Sequence, residues 1–427
     1  VVATAPAKAI LFGEHAVVQG APAVAAALES LHTTCTLAHA PPRARTLRID
    51  YQTLEKCVVL DWADQGTEAR LMSIWEKVVV LFPACENVEV WCPPPCGGEL
   101  SECISVLALH VCSAPGASAR PSPDLLNATS AVMYLFLALC WAHHSRSAPH
   151  AHPQAHPTLS LVPLSLSLSS SIPMGSGLGS SAAFNVAVAA ALLGLLWSPP
   201  ACLTAPAGAA LLGAPLTPPR RELVSKWAFA GEHFLHSTPS GIDTTVSTFG
   251  GCIMFQKDEH GCLQFTRLSQ PPLPSLLVVD THQPRQTAVL VRAVLAACRA
   301  APLLRRTVDL IGAVSQRFAQ LSADAPSPAA HTEVKLMVRL NHHLLCALGV
   351  SHPKIDQVVS LLARCGLSAK LTGAGGGGCV IAPLTDEQDV QNALAVAAPL
   401  AQAGFSSFTT ALGCEGVRLR TLATAAP

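Results

Sequence analysis

The chain has 427 residues, half of them apolar, and its 27 basic and 27 acidic side chains leave no formal net charge. That length and apolar share are enough to bury a core of roughly two or three domains and exclude disorder as a description of the whole chain. The charge balance removes the basic field on which a nucleic-acid or anionic-membrane binder depends, so neither partner is expected, although a local anion site stays open.

Sixteen cysteines are scattered along the chain without a Cys-x-x-Cys pair. This points to a reducing, cytoplasmic setting rather than a disulfide scaffold. Cys92, Cys96, Cys103 and His110 come nearest to a metal-ligand run, but their spacing fits no ordinary zinc pattern and buried thiols are expected. No secretory signal is visible at the start given, which begins at Val1.

In chain order, the first informative segment is Ala5-Pro6-Ala7-Lys8-Ala9-Ile10-Leu11-Phe12-Gly13-Glu14-His15-Ala16-Val17-Val18. It sets Lys8, Glu14 and His15 in an apolar run that reads as buried strand, where a charge is costly unless it is paired or used. Residues 125–142 are nearly long enough to span a membrane, but Asn127, Thr129 and Ser130 interrupt them and a buried helix is expected. The His, Pro and Ala tract 143–157 reads as a low-complexity loop, with metal binding by His150, His152 and His156 as the alternative.

Leu164, Leu166 and Leu168 alternate with serines, the period of a strand with one buried face. A Gly-rich loop follows, and then an apolar helix over 182–196. Segment 197–219, with two Pro-Pro pairs, cannot form a continuous helix or a central strand. Further helices are expected over 221–236, 287–300, 303–322, 332–348 and 354–364, and a strand over 276–280. Pro271, Pro272 and Pro274 mark the expected domain boundary, which gives units of 1–270 and 271–427.

The strand, Gly-rich loop and helix are the strongest local signal. In Pro173-Met174-Gly175-Ser176-Gly177-Leu178-Gly179-Ser180-Ser181 the glycines let backbone approach a ligand, and the helix that follows turns its unpaired N–H groups toward it. A phosphate is expected there. The loop lacks the Lys of a Walker A motif and the third Gly of a dinucleotide fingerprint. The later run 373–378 has that glycine spacing but precedes a strand-like Cys379-Val380-Ile381, so it reads as a backbone wall beside a ligand. Between the two runs, Glu232 in an apolar helix and Asp243 after Pro239-Ser240-Gly241 offer two acids from separate elements, either as a pocket pair or as a solvated residue and a helix cap.

Taken together, the segments 8–18, 177–183, 226–243 and 370–379 resemble, in order, the motifs of the GHMP kinases, a family of small-molecule kinases. The resemblance covers the chain from Ala5 to about Val417 and is weakest over 39–160 and 198–219. It implies an α+β fold of two domains, the first like ribosomal protein S5 domain 2 and the second ferredoxin-like. ATP with Mg²⁺ and a small alcohol are the implied reactants. Within the family the chain is most similar to members that phosphorylate the 5-hydroxyl of mevalonate, a step toward isoprenoids and sterols. Phosphomevalonate, homoserine or galactose, or a silent sensor of such a ligand, are the alternatives. Galactose is disfavoured because Ala16-Val17 stand where Thr-Asp would be expected.

The resemblance assigns Asp243 as the catalytic acid–base group, with Lys8 beside it to stabilise the developing alkoxide and phosphoryl charge. Lys8, Ser170, Gly175, Ser176, Gly177, Leu178, Gly179, Ser180 and Ser181 match the ATP site. Ser181 and Glu232 match the magnesium ligands. Glu14, His15, Thr287 and Gly375 match the substrate site. A homodimer and feedback inhibition by prenyl diphosphates follow from the same resemblance. The family's early nucleotide-binding asparagine has no counterpart, since no Asn precedes Asn87.

Overall fold

Alanine is a poor strand former, yet the alanine-rich N-terminus makes the two longest strands, β1 (Val2–Phe12) and β2 (Ala23–His39). Burial overrides propensity here: Ala3, Ala5, Ala7 and Ala9 are wholly enclosed, and their small side chains let neighbouring layers lie close to the sheet. β1 and β2 pair antiparallel, with Lys8 opposite Ala27. The computed structural model describes residues 1–40, 44–81, 92–93, 98–113, 121–147, 162–198, 211–214, 216–236, 239–258, 263–269, 271–285 and 287–422.

After β2 come β3 (Thr46–Tyr51), β4 (Lys56–Asp61), α1 (Gln65–Leu81), α2 (Gly98–Cys112), α3 (Pro123–Ser147), β5 (Leu164–Ser170) and α4 (Ser180–Trp197). Next are β6 (Leu211–Ala214), α5 (Pro218–Glu232), α6 (Ile242–Phe249), β7 (Cys252–Lys257), β8 (Leu263–Leu268) and β9 (Ser275–Asp280). The last part holds α7 (Thr287–Ala300), α8 (Pro302–Leu321), α9 (Pro328–Ala347), α10 (Pro353–Arg364), β10 (Lys370–Leu371), β11 (Cys379–Leu384), α11 (Glu387–Gln402), β12 (Ser406–Ala411) and β13 (Arg418–Leu422).

Nine strands form one sheet in the order β4-β3-β5-β2-β1-β13-β6, with the β7–β8 hairpin joined through β2. Four form a second sheet, β10-β11-β9-β12. The leucines of β5 are buried while the serines between them are half-exposed, as their alternation requires. β6 lies at a sheet edge, where a proline-bounded segment is tolerated.

α3 and α4 are long and apolar enough to cross a membrane, but α4 packs on β1 and β2 and α3 packs on α4. The expectation of a buried helix over 125–142 therefore holds. α9 starts four residues before the expected 332 because Ser327 caps it, its hydroxyl accepting from the Ala330 N–H, and Pro328 suits the first turn. The expected boundary at 270/271 lies between β8 and β9, and β13, at 418–422, returns to the first sheet between β1 and β6. Backbone pairing decides this, and 418–422 carries no local signal that names its sheet. Cys96 and most of 143–157 and 197–219 lie outside the described residues. The cysteines described are free thiols.

Candidate active site

Lys8 lies on β1, and its backbone N–H donates to the Leu178 carbonyl at 2.9 Å, which pins the Gly-rich loop to the strand. Gly179 ends that loop at φ +77° and serves as the N-cap of α4. A Cβ at this position would come within 2.9 Å of Lys8 Cγ, so both conformation and space require glycine. The lysine side chain is thereby laid beneath the open N-terminus of α4.

α5 and α6 deliver the two acids. Glu232 is the last residue of α5 and Asp243 the second of α6, after the turn through Gly241. Lys8 Nζ lies 2.9 Å from Asp243 Oδ1, with the lysine side chain 3% and the aspartate 34% exposed. The ammonium is hidden while the carboxylate faces an opening, the geometry of a group that can exchange a proton with something outside.

Glu232 is buried and accepts a hydrogen bond from Asn185 Nδ2 at 3.1 Å, and the nearby Ser181 hydroxyl favours its ionised form. Burial, reinforced by the charge of Asp243, raises its pKa from the ordinary 4.5 to about 7. Ser181 Oγ also lies 3.0 Å from His236 Nε2, and burial lowers the pKa of that imidazole. A carboxylate and a hydroxyl thus stand side by side, and the carboxylate resists ionisation without a cation. This oxygen-donor set fits a hard divalent ion.

The second glycine run faces the first. Gly378 packs against the Ser176 carbonyl, and Arg285 is wedged between the loops so tightly that a Cβ at Gly177 or Gly373 would overlap its guanidinium. Arg285 Nη1 is buried with no hydrogen-bond partner among the described residues. An unpartnered buried guanidinium nitrogen between two glycine walls is a site for an anion. The sequence names Thr287 but not Arg285, whose signal is its place in the loop just after β9.

His15 holds a left-handed backbone, φ 60°, unusual for a residue with a side chain. Its Nε2 lies 2.9 Å from the Ala374 carbonyl, which can only accept, so Nε2 carries the proton. Nδ1 is left as a buried acceptor with no partner among the described residues, and burial lowers the pKa of the ring. A neutral imidazole therefore offers one lone pair to a hydroxyl donor.

The other expected residues fall as follows. Ser176 is buried and turns its hydroxyl to the Pro173 carbonyl at 2.7 Å, so it presents backbone rather than side chain. Gly175, Gly177, Leu178, Ser180 and Ser181 belong to the loop and first turn over Lys8. Ser170 bonds Thr33 Oγ1 at 2.9 Å and the Ile172 N–H, at the end of β5. Gly375 closes against the Val350 carbonyl. Thr287 opens α7 and is exposed.

Glu14 departs from its expected contact with substrate. One carboxylate oxygen is paired with Lys370 and the other accepts from Asn341 Nδ2 at 3.0 Å, and both members of the ion pair are fully enclosed. Lys370 also donates to the Leu371 carbonyl at 2.8 Å. Glu14 is a tie between the first strand's end and the second sheet. Its short, apolar neighbourhood in sequence hides this, because the partners lie more than 300 residues away.

A two-domain kinase site is what this arrangement resembles, and the chain belongs to the GHMP kinase family. The family models match residues 145–251, as the GHMP kinases N-terminal domain, and 328–398, as GHMP kinases C-terminal. Among named relatives, bovine mevalonate kinase is 31% identical over 98% of this chain and 95% of its own length. Among solved structures, the mevalonate kinase of Methanococcus jannaschii has a TM-score of 0.63 at 19% identity, covering 96% of this chain and 98% of its own. The L. major mevalonate kinase in complex with R-mevalonate has a TM-score of 0.58 at 20% identity, covering 95% and 94%. At these identities the two structures carry the fold.

Lys370→Met should leave the buried Glu14 without its cation and cost about 3–5 kcal/mol, read from denaturant unfolding, while adding Glu14→Gln should recover most of the loss. A single variant of wild-type stability would remove the tie from the account. For Glu232, the unfolded chain releases its proton near 4.5 and the folded chain near 7. Between those values the unfolded state has lost a proton that the folded state keeps, so stability without divalent ions should fall as pH rises through this window. Glu232→Gln should flatten that slope in chelator-treated protein.

Proposed function

We propose that the chain transfers the γ-phosphoryl group of ATP to the 5-hydroxyl of mevalonate, giving 5-phosphomevalonate and ADP. The observation that carries this reading is the Lys8–Asp243 contact of 2.9 Å beneath the Gly-rich loop and the N-terminus of α4. Near full-length similarity to bovine mevalonate kinase supports the choice of acceptor.

In this reading Asp243, the more exposed partner, accepts the proton of the attacking hydroxyl as the new O–P bond forms. The adjacent Lys8 ammonium stabilises the alkoxide and the charge on the transferred group. Backbone N–H groups of 175–181 and the dipole of α4 hold the phosphates. Ser181 and Glu232 would hold Mg²⁺, which when bound offsets phosphate charge. His15 Nδ1 accepts from a substrate hydroxyl and Arg285 meets an anionic group, a phosphate or the acceptor's carboxylate. The buried walls exclude water, so transfer to the alcohol is favoured over hydrolysis.

The same reading extends to a homodimer, a cytoplasmic setting in keeping with the free thiols, a place in isoprenoid and sterol synthesis, and inhibition by prenyl diphosphates, whose anionic head suits a cradle built for phosphate.

Offering mevalonate, phosphomevalonate, homoserine and galactose with ATP and Mg²⁺, and measuring ADP release, should give turnover with mevalonate far above the rest. Preference for another acceptor would overturn the assignment. Asp243→Asn should lower kcat by about 10²–10⁴-fold while nucleotide binding is retained, because the lost group handles a proton. Near-normal turnover in that variant would remove Asp243 from its role.

A further inference from the structure

Away from the glycine loops, one face of α9 carries a second set of chemically active side chains. His342 and Cys346 are one helical turn apart, and the first turn of α10 brings Asp356 beside them. One donor atom from each of the three lies within 4.8 Å of the others. We propose that His342, Cys346 and Asp356 form a binding site for a single borderline-soft divalent cation, Zn²⁺ in particular, distinct from the phosphoryl-transfer site.

The spacing suits such an ion. Zinc bonds of about 2.0–2.1 Å to nitrogen and about 2.3 Å to sulfur put the two donors roughly 3.5 Å apart across a tetrahedral angle. His342 Nε2 and Cys346 Sγ are 3.6 Å apart. A mixed nitrogen, sulfur and oxygen set selects zinc-like ions over magnesium, which takes oxygen donors. Three protein ligands leave a fourth position for water.

The ring is also poorly satisfied without an ion. His342 is 5% exposed, and its Nε2, the ring nitrogen that faces Cys346, meets a thiol, a weak partner whose place a cation can take. Asp356 is exposed and accepts from the Ser351 hydroxyl, which orients the carboxylate and leaves further lone pairs for a cation. Cys346 is half-buried, so the site has a route to solvent. The nearby Lys370 ammonium is already paired with Glu14 and does not confront the ion with an uncompensated charge.

The consequence is mechanical. Asn341, next to His342, reaches the buried Glu14, while His342 and Cys346 reach α10. A bound ion would pin α10 to the helix that ties the two sheets together, and so stabilise the protein without entering the reaction.

Full-length protein stripped with chelator and titrated with Co²⁺ should bind one equivalent with a thiolate-to-cobalt charge-transfer band and visible bands of tetrahedral intensity, both lost on adding Zn²⁺. Cys346→Ser should abolish the charge-transfer band, and His342→Gln and Asp356→Asn should each weaken binding at least about tenfold, the low end even for an outer-shell partner. All three should keep wild-type turnover, and Zn²⁺ should raise the thermal midpoint of wild type alone. Circular dichroism checks folding, and Asp356→Asn, at an exposed position, supplies the test if a buried substitution unfolds. No binding to wild type, or an undiminished thiolate band in Cys346→Ser, would overturn the site.

Discussion

An ammonium almost wholly removed from water must have an anion against it, and Lys8 meets this requirement with Asp243. Much of the active-site geometry serves that pairing. β1 supplies a rigid base, Gly179 clears the space over the lysine stem, and the turn through Gly241 sets α6 at the angle that returns its second residue to the strand. Because the aspartate keeps a third of its surface open, the pair is stable and still reachable by a substrate hydroxyl.

The same stretch of chain carries a second ion pair with the opposite character. Glu14 and Lys370 are fully enclosed, and Asn341 completes the carboxylate's hydrogen bonding. A closed pair cannot serve proton transfer, but breaking it leaves a buried charge, so it holds the glycine walls in register. Arg285 and His15 lie where those walls meet, each with a buried nitrogen that no described residue partners. Polar atoms of that kind are costly in a folded chain and gain partners when a ligand arrives.

The two sheets do not divide the chain cleanly. β13 completes the first sheet after the chain has built the second, so the start and end of the described chain share one hydrogen-bonded ladder. Helices of membrane-spanning length are accommodated by the same layering: α4 packs beneath the alanine methyls of β1 and β2, and α3 covers α4. Close packing against small side chains explains why an alanine-rich segment becomes a strand and a leucine-rich one a buried helix.

Local chemistry was enough to mark the β5–loop–α4 unit and the helices near 221–236 and 287–364, because periodicity and glycine spacing are properties of short segments, whereas Lys8, Ser181, Glu232 and Asp243 take their expected roles from the family resemblance. It determined the family as well, through four motifs in order. The pairing of Glu14 with Lys370, the wedge made by Arg285, the return of β13 and the cluster on α9 and α10 were decided only by tertiary structure. Each depends on partners far apart in the chain, and a side chain's burial and company are set by the layer that closes over it, which no local pattern encodes.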